Sequence, residues 1–394
     1  MDPINELLSR RVQTILPDKQ LLETKLRSGQ KLRLYQGFDP SSPNLHIGHL
    51  VGLLQLKMFQ DLGHQVIFLI GDFTGMIGDP TDKSSARPKL SREQVIENAK
   101  TYQAQAGRIL NFTGNNPVQL KFNSEWLDSM TFKDLIELTS NVTVQQMIER
   151  DMFQERLKQT RPIFLHEFLY PISQGYDSVA MDVDLEVGGN DQMFNMMVGR
   201  QLMKSLKNKD KIVLTTKLLT DADGRKIGKT TGNAINLFGD PKDLFGALMS
   251  QPDSILDQGF ELATTLPLDE IDALKQSAQA QPMEIKKRLA FEVVKLCQGE
   301  EAAVNAQQYF ESVFQKRDLS ANIIEKTIPN GPSDIVAVLT AAGIAESNSA
   351  RKRLISQGAV EIDDQKIVDP TLVIDKTNFV LKVGKHTILR ISRN

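Results

Sequence analysis

A strand–helix–strand pattern near the start of the chain limits the possible fold most strongly. Apolar and polar residues alternate over residues 31–39, and Pro40 then ends the strand in a tight loop. Apolar residues recur at helical spacing from about 45 to 62, Gly63 suits a helix end, and 65–70 reads as a second apolar strand. Two strands joined by a helix form the repeating unit of a parallel sheet, whose ligands bind beyond the carboxyl ends of the strands. We therefore predict an α/β fold with its functional site at those ends.

The rest of the chain adds strands to this sheet and then changes character. Further strands are expected near 118–122, 182–187 and 211–216, with helices between them. After about residue 236 the pattern becomes helical, and turn residues at 330–332 precede a tail with its own pattern. These changes predict a parallel-sheet domain over 1–235, a helical domain over 236–328 and a small α+β domain over 332–394.

Composition excludes several classes of protein. The chain holds 47 Lys and Arg against 49 Asp and Glu, which argues against non-specific binding of nucleic acid by the whole surface. Its single cysteine, Cys297, excludes an internal disulfide framework and a cysteine-based metal site, so we expect a reducing compartment, the cytoplasm. No apolar run approaches the roughly 20 residues that a membrane helix needs, and the first residues lack the pattern of a signal peptide. Neither a membrane protein nor a secreted protein is expected.

Two histidines stand where the first predicted helix begins. His46 and His49 are three residues apart and share a helix face, at an end whose backbone N–H groups favour anions. Gly48 removes a side chain where a base or a phosphate chain could lie against the backbone. Imidazoles there could donate hydrogen bonds to a phosphate as negative charge develops. The spacing alone also fits a metal pair or two surface histidines, so neighbouring motifs have to decide.

A glycine- and lysine-rich loop follows the strand predicted at 211–216. The stretch from Gly224 to Thr230 reads Gly-Arg-Lys-Ile-Gly-Lys-Thr, with three residues between its glycines where a P-loop needs four, and it lies far downstream. A P-loop is therefore excluded. Lys226 and Lys229, three residues apart, suit closure on a triphosphate as it reacts. Alone this would be a solvated basic loop; with the histidine motif it indicates a nucleotide site.

Together the two motifs resemble the signatures of class I aminoacyl-tRNA synthetases, a His-x-Gly-His after the first strand and a Lys-rich loop after the last. They fall on residues 46–49 and 226–230, and the loop reads Lys-Ile-Gly-Lys-Thr instead of the commoner Lys-Met-Ser-Lys-Ser. The tyrosyl branch shows that kind of variation. The resemblance implies a Rossmann-type catalytic domain that joins an amino acid to AMP, releases pyrophosphate and passes the aminoacyl group to tRNA. The residues implied to stabilise the transition state are His46, His49, Lys226, Lys229 and Thr230.

Further residues resemble the amino-acid pocket of tyrosyl-tRNA synthetases. Tyr35 lies on the first strand, and Tyr170, Gln174 and Asp177 follow at three- and four-residue steps along one helix face. The resemblance implies that Tyr35 and Asp177 hold the phenol hydroxyl of tyrosine. It also implies that Asp79, Tyr170 and Gln174 hold the ammonium group. A site built to hydrogen-bond a hydroxyl rejects the analogue that lacks it, and tyrosyl-tRNA synthetases are the standard example of this effect. Taken singly, Tyr35 and Asp177 would be a core tyrosine and a surface acid.

Two glycine-containing stretches resemble the nucleotide site of the same family. In residues 71–87, Lys83 and Arg87 occupy positions that contact the departing pyrophosphate in relatives. In residues 188–192, the resemblance implies that Asp191 binds the ribose hydroxyls and that Gln192 lies by the tyrosine carboxylate. The residues implied to contact ATP are Gly37, Asp39, His46, Gly48, His49, Gly189, Asp191 and Lys229. Magnesium is expected with ATP, held largely by the phosphates, and no protein-bound metal or prosthetic group is expected.

Two positions depart from some tyrosyl relatives. Glu186 stands where some carry a glutamine near the substrate, and Gly52 where some carry a threonine under the ATP. Asp182, Asp184 and Glu186 share one strand face. A metal cluster could be imagined there, but we expect a solvated or partly paired strand face.

The tail resembles the S4 RNA-binding domain found at the end of bacterial tyrosyl-tRNA synthetases. Its pattern predicts helices over 335–342 and from about 349, then a turn between short strands at 360–368. A basic surface on the second helix suits phosphate contacts that position RNA without reading bases, although charge alone would also fit a solvated helix. The basic run consists of Arg351, Lys352 and Arg353.

These resemblances imply a bacterial-type tyrosyl-tRNA synthetase that acts on L-tyrosine and tRNA(Tyr) and forms a homodimer through its catalytic domain. A tryptophanyl synthetase is one alternative, disfavoured by Tyr35, Asp177 and the S4-like tail. An adenylyltransferase acting on a different acceptor is a second, but it would need neither the helical region nor the tail. A non-catalytic RNA-binding or splicing protein is a third, against which the intact histidines and lysines argue.

Overall fold

The computed structural model describes residues 2–81, 90–221, 224–228, 234–278, 280–315, 323–344, 347–363, 365–384 and 387–394. The chain divides into two compact units, Met1–Val304 and Asn305–Asn394, which are described in turn.

A mostly parallel sheet forms the centre of the first unit, as the sequence predicts. Its described strands are β1 (Val12–Leu16), β2 (Arg33–Phe38), β3 (Gln65–Ile70), β4 (Gln119–Phe122), β5 (Leu185–Gly189) and β6 (Ile212–Thr216). Their order is β1-β6-β5-β2-β3-β4, and β1 runs antiparallel to β6 while the other neighbours are parallel. The chain continues from β2 to β3 on one side and reaches β5 on the other, so the strand order reverses between β2 and β5. Such a switch point leaves a crevice at the carboxyl ends of the strands.

Helices surround this sheet and continue beyond it. Before the last sheet strand the described helices are α1 (Pro3–Leu7), α2 (Lys19–Arg27), α3 (Ile47–Asp61), α4 (Thr74–Ile77), α5 (Arg92–Ala99), α6 (Tyr102–Ala106), α7 (Ser124–Leu127), α8 (Phe132–Thr139), α9 (Val144–Ile148), α10 (Asp151–Lys158), α11 (Leu165–Ala180) and α12 (Met193–Lys207), with a 3-10 turn at Asn190–Gln192. The helical region follows with α13 (Pro241–Met249), α14 (Ile255–Ala263), α15 (Leu268–Ala278), α16 (Pro282–Gln298) and α17 (Glu300–Phe310), and a π-helical turn at Glu311–Gln315. No helix among the described residues is long and apolar enough to cross a membrane.

Two buried arginines connect the helical region to the start of the chain. Arg10 Nη2 donates to the Thr264 carbonyl over 2.7 Å, and Arg11 Nε donates to the Leu262 carbonyl over 3.0 Å. These carbonyls lie at the end of α14, where intrahelical donors run out. Burial and the neighbouring Arg10 lower the pKa of Arg11 to about 9. The helices from α13 to α16 therefore pack within the same unit as the sheet, and the predicted boundary at 235 stays a prediction.

The second unit is a small α+β fold, as predicted. Its described strands are β7 (Ile323–Ile328), β8 (Ser333–Asp334), β9 (Val360–Ile362), β10 (Gln365–Ile367), β11 (Val373–Ile374), β12 (Asn378–Val383) and β13 (Thr387–Arg393), and its helices are α18 (Ile335–Ala341) and α19 (Asn348–Ser356). One sheet has the order β10-β9-β12-β13-β7, and β8 pairs with β11. Its core includes Ile335, Leu339, Ile355 and Leu381.

The sheet of the second unit includes a strand that the sequence pattern did not predict. β7 lies within 236–328, the stretch predicted to be helical, yet it pairs in parallel with β13 at the chain's end. Such pairing joins segments far apart in sequence, which local periodicity does not reveal.

Candidate active site

A cavity of about 400 Å³ lies at the carboxyl ends of β2 and β5, where the strand order reverses. It is lined by most of the residues that the sequence singled out: Gly37, Asp39, His46, Gly48, His49, Asp79, Tyr170, Gln174, Asp177, Gly189, Asp191, Gln192 and Lys226. Four other predicted residues, Lys83, Arg87, Lys229 and Thr230, lie outside the described residues.

The two histidines stack at the start of α3. His46 is the N-cap, and its Nδ1 accepts from the Gly48 backbone N–H over 3.2 Å. The His49 Nδ1 accepts in turn from the His46 backbone N–H over 3.1 Å, and the ring centroids are 3.8 Å apart. Because each Nδ1 accepts a hydrogen bond, the neutral form of each ring carries its proton on Nε2. Each imidazole is therefore set up as a donor rather than as a base.

Gly48 brings the histidine motif against the lysine loop. A Cβ at this position would lie 3.0 Å from the His46 ring and 3.2 Å from the Ile227 carbonyl oxygen. The loop is also held beside α3 further along, because the Ile47 backbone N–H donates to the Ile235 carbonyl over 2.8 Å. The two predicted motifs, far apart in sequence, thus meet at one place.

Lys226 forms an ion pair across the cavity wall. Its Nζ contacts Oδ2 of Asp191, which follows β5 in the 3-10 turn. The Asp191 side chain is nearly buried, whereas that of Lys226 is about one-third exposed. Gly189 makes room for this carboxylate, because a Cβ there would lie 2.4 Å from Asp191 Oδ1.

Asp39 and Tyr170 are hydrogen-bonded to each other at the carboxyl end of β2. The Tyr170 hydroxyl donates to Asp39 Oδ2 over 2.8 Å, and the Thr74 hydroxyl donates to Oδ1 over 2.7 Å. Gly71 is required here, since a Cβ would lie only 2.0 Å from Asp39 Oδ1. The predicted nucleotide residue and the predicted ammonium residue therefore form one hydrogen-bonded group.

Both carboxylate oxygens of Asp79 accept hydrogen bonds. Its Oδ1 accepts from the hydroxyl and the backbone N–H of Thr81 over 2.6 and 3.0 Å, and its Oδ2 accepts from Gln192 Nε2 over 2.8 Å. Asn195 Nδ2 donates to Gln192 Oε1 over 3.0 Å. This network fixes two predicted tyrosine-binding residues, Asp79 and Gln192, relative to each other.

Asp177 presents a buried carboxylate to the cavity. It is 2% exposed, and its oxygens accept from Trp126 Nε1 over 2.8 Å and from Asn123 Nδ2 over 3.3 Å. Burial raises the pKa of this carboxyl well above its ordinary value, although the two hydrogen bonds oppose the rise. The two donors leave each oxygen a further lone pair, so Asp177 can accept from a ligand hydroxyl.

Tyr35 lies behind the cavity rather than in its lining. It is fully buried in a cluster with Ile67, Leu69, Met181 and Val183. Its hydroxyl is 2.9 Å from Ser178 Oγ. The same hydroxyl also donates to the Gln174 backbone carbonyl over 3.4 Å, and Gln174 lines the cavity. Asp177 is in the cavity lining and Tyr35 lies directly behind it, and the implied contact between Tyr35 and tyrosine stays a prediction.

Gln36 and Gly52 explain one departure from the family pattern. A Cβ at Gly52 would lie 2.2 Å from Gln36 Oε1, so the glutamine side chain occupies the space that a larger residue 52 would need. Both residues line the cavity. The small residue on α3 therefore leaves room for the long side chain on β2.

The acidic strand face divides into two environments. Asp184 and Asp182 pair with Lys209 over 2.9 and 3.3 Å near the surface, and a positive φ of 49° places Asp182 in a turn before β5. Glu186 is instead buried, lines the cavity and pairs with the buried Lys211. The expected solvated or partly paired face thus describes Asp182 and Asp184, whereas Glu186 is paired in the interior.

In the second unit the basic run is split between surface and interior. Lys352 and Arg353 are exposed on α19. Arg351 is buried: its Nε donates to the Ile344 carbonyl over 2.8 Å and its Nη1 to the Asn348 side chain over 2.8 Å. The expectation of an exposed basic helix is correct for two of the three residues and wrong for Arg351, because α19 turns that side chain towards the preceding loop.

Comparisons with known proteins identify the family. The family model described as tRNA synthetases class I (W and Y) matches residues 27–315. The tyrosine–tRNA ligase of Thermotoga maritima is 42% identical over 392 residues, which cover 98% of this chain and 96% of that protein. The chain belongs to the class I tyrosyl-tRNA synthetases. The tyrosine–tRNA ligase of Aquifex aeolicus is 41% identical over 379 residues, covering 96% of this chain and 95% of that protein. The assignment made from the sequence motifs is confirmed.

Solved structures of tyrosyl-tRNA synthetases share this fold. A C-terminally truncated mitochondrial enzyme from Coccidioides posadasii matches 78% of this chain and 91% of its own, with a TM-score of 0.65 and 25% sequence identity. The Archaeoglobus fulgidus structure, a complex with L-tyrosine, matches 78% of this chain with a TM-score of 0.59 and 18% identity. Aminoacyl-tRNA synthetases use ATP as a substrate, and the tyrosyl family binds tyrosine and tRNA.

Proposed function

We propose that this chain activates L-tyrosine with ATP to tyrosyl-AMP and pyrophosphate, and then transfers tyrosine to the 3′ end of tRNA(Tyr). The observation that carries the proposal is one cavity that combines the stacked histidines, Lys226 and the buried carboxylate of Asp177. A nucleotide site alone would not need a buried acceptor of this kind, whereas a phenol hydroxyl does.

Tyrosine is held by groups of complementary charge. Asp177 accepts from the phenol hydroxyl, and Asp79, Tyr170 and Gln174 surround the ammonium group. Tyr35 is the second residue proposed to hold the phenol hydroxyl, and Gln192 lies by the carboxylate of tyrosine. The carboxylate of the substrate tyrosine attacks the α-phosphorus of ATP. A new O–P bond forms while the bond from the α-phosphorus to the α–β bridging oxygen breaks, and pyrophosphate leaves. The nucleophile is already ionised and needs no general base, so positioning and electrostatics supply the rate.

Donors around the phosphates stabilise the transition state. His46 and His49 donate from Nε2, and Lys226 and Lys229 neutralise the developing charge. Thr230, Lys83 and Arg87 assist at the pyrophosphate. Asp191 binds the ribose, with Gly37, Asp39, Gly48 and Gly189 lining the same nucleotide. Because Lys226 and Asp191 pair with each other in this structure, ATP binding replaces their ion pair by contacts to phosphate and ribose.

Magnesium arrives with ATP in this proposal. We expect the ATP phosphates to supply most of its ligands, because Mg²⁺ in such sites is bound largely through substrate phosphates and water. When bound, the ion neutralises phosphate charge.

His46→Asn tests the phosphate-side role. Asparagine is a favoured N-cap residue, so the start of α3 is retained while the Nε2 donor is lost. We expect formation of tyrosyl-AMP in a single turnover to slow by about a hundredfold or more, with the Kd for tyrosine unchanged. His166→Asn, a histidine on α11 outside the cavity lining, is the matched control. An unchanged single-turnover rate for His46→Asn would contradict the assignment.

A homodimer through the first unit is also proposed. Helices α8, α9 and α11 share one core cluster but leave large apolar side chains exposed, which marks a protein-contact surface. The exposed residues are Phe132, Ile136, Val144, Phe164 and Leu165. Sedimentation equilibrium should give twice the chain mass of 44.1 kDa, and a monomer at all concentrations would contradict the proposal. A cytoplasmic location is proposed from the single cysteine, Cys297.

The second unit is proposed to contact tRNA. Lys352 and Arg353 present two positive charges on α19, while Arg351 holds the preceding loop in place. Contacts of this kind position the RNA backbone without reading its sequence.

A further inference from the structure

A buried chain of polar groups runs from Lys211 to the cavity. The Lys211 side chain is fully buried just before β6, and its Nζ contacts Glu186 Oε2. The other oxygen, Glu186 Oε1, accepts from Gln174 Nε2 over 3.1 Å. Glu186 and Gln174 line the cavity, whereas Lys211 lies behind them. The sequence motifs assign no role to Lys211.

The surroundings of Lys211 are shaped for its ammonium group. Its Nζ also donates to Ser178 Oγ over 2.9 Å. Gly199 on α12 leaves the necessary space, because a Cβ there would lie 2.5 Å from the Lys211 Nζ. Burial lowers the pKa of Lys211 and the adjacent Glu186 carboxylate opposes the fall. A buried carboxylate is costly without such a partner, and the Lys211 ammonium is the partner of Glu186.

The Glu186 carboxylate, paired with Lys211, decides which way the Gln174 amide faces. A carboxylate only accepts hydrogen bonds, so Gln174 must present its NH2 to Glu186. The other end of the amide, Gln174 Oε1, is buried and has no hydrogen-bond partner among the described residues. A buried orphan acceptor is costly unless a ligand donor fills it. The ammonium group of tyrosine is such a donor.

We propose that Lys211 is a positioning residue for amino-acid recognition: through Glu186 it locks the Gln174 amide with its oxygen directed at the substrate ammonium. The proposal rests on the proposed function, since it presumes that the cavity receives tyrosine. Without Lys211, the buried Glu186 loses its charged partner, and the chain of contacts that holds the Gln174 amide is broken. The amide can then turn its NH2 towards the substrate, so that it faces the ammonium with a donor instead of an acceptor.

Lys211→Met tests this with two ligands that differ only in the ammonium group. These are tyrosine and 3-(4-hydroxyphenyl)propionate, with binding measured by calorimetry or by competition. We expect Kd for tyrosine to weaken by about tenfold or more, the worth of one hydrogen bond to a charged group, and Kd for the propionate to stay unchanged. Lys204→Met, on the exposed part of α12, is the matched control and should change neither Kd.

Each other result overturns the proposal. If both ligands weaken equally, Lys211 has only a structural role. If tyrosine binds Lys211→Met as tightly as wild type or more tightly, then removing the positive charge of Lys211 outweighs any loss of amide orientation. A wild-type protein that catalyses no tyrosine-dependent ATP–pyrophosphate exchange would instead refute the proposed function, so the two failures are distinguishable.

Glu186→Gln keeps the test open if Lys211→Met does not fold. Lys211 then orients the new amide with its oxygen inward and its NH2 towards Gln174, which reverses the polarity of the chain. Tyrosine should again weaken by about tenfold or more and the propionate should not. In a Gln174→Leu background the same substitution should have no further effect, because the group that it orients is gone. An equal effect in both backgrounds would show that Glu186 acts on the ammonium by its charge alone.

Discussion

Gly199→Ala should destabilise the first unit far more than an ordinary glycine replacement in a helix. The added Cβ would lie 2.5 Å from Lys211 Nζ, 3.1 Å from Ser178 Oγ and 3.2 Å from the Gly175 Cα of the packed helix α11. The backbone at Gly175 cannot yield as a flexible side chain would, so the ammonium has to move away from Glu186.

The expected change in the free energy of unfolding combines two destabilising effects and one stabilising effect. Overpacking a tight contact costs about 1–3 kcal/mol. Breaking a buried ion pair costs about 3–5 kcal/mol. Alanine improves helix propensity by about 1 kcal/mol. With the ion pair only partly separated, we expect the free energy of unfolding to fall by about 3 kcal/mol.

Urea unfolding followed by fluorescence measures this directly, because the chain's one tryptophan, Trp126, lies in the first unit. Gly246→Ala in α13 is the matched control, since a Cβ there meets nothing within 4 Å. That variant should gain about 0.5–1 kcal/mol. All proteins are compared at one concentration. Equal stability of Gly199→Ala and wild type, with the expected gain in Gly246→Ala, would refute the packing described around Lys211.

Four further predictions concern the site and the second unit. Lys226→Met should slow single-turnover formation of tyrosyl-AMP by about tenfold or more and leave the Kd for tyrosine unchanged, because a charged donor to the phosphates is lost. Asp177→Asn should lower kcat/KM for tyrosine in ATP–pyrophosphate exchange by about tenfold or more and leave phenylalanine nearly unaffected, since only tyrosine uses this acceptor. Burial raises the pKa of Asp177 well above 3.8, so the folded state binds this proton more tightly than the unfolded state. The resulting stability is complete below 3.8 and is lost as pH rises through the folded pKa, so in urea titrations wild type should lose stability relative to Asp177→Asn over that window. Lys352→Ala and Arg353→Ala should each weaken tRNA binding and reduce the slope of log affinity against log salt by about one, as measured by filter binding. The Asp177→Asn prediction fails if kcat/KM falls equally for phenylalanine and tyrosine. The pH prediction fails if the stability difference between wild type and Asp177→Asn does not change with pH. The tRNA prediction fails if the salt slopes of the Lys352→Ala and Arg353→Ala variants are unchanged.

Local spacing predicted the parts of the site that are close in sequence. The capping arrangement of His46 and His49 follows from their three-residue separation at a helix start, and the structure shows the two rings stacked there. The strands at 65–70 and 211–216 followed from apolar runs and are found at Gln65–Ile70 and Ile212–Thr216. Periodicity carries this information because it reports which face of one element is buried.

Partners that are distant in sequence could not be predicted. Asn123 and Trp126, which hold Asp177, lie 54 and 51 residues before it. Lys211 lies 25 residues after Glu186. Only the three-dimensional arrangement of α7, α11, β5 and β6 brings such groups together, and their sequence surroundings carry no motif.

Tyr35 shows a different limit. The alternation over 31–39 placed it on the first strand, and it lies in β2. The family resemblance implies a direct contact between Tyr35 and tyrosine, and this contact stays a prediction; the Tyr35 hydroxyl lies 2.9 Å from Ser178 Oγ. Alternation along a strand shows which residues share a face, but not which groups that face meets.

ATP–pyrophosphate exchange, with each of the twenty amino acids offered separately and without tRNA, measures amino-acid activation and pocket selectivity together. We expect exchange with tyrosine and none with phenylalanine or tryptophan, because Asp177 provides an acceptor that only the phenol hydroxyl satisfies. Exchange with tryptophan would keep the activation chemistry but contradict the assignment of the pocket. No exchange from folded protein would contradict the proposed catalysis itself.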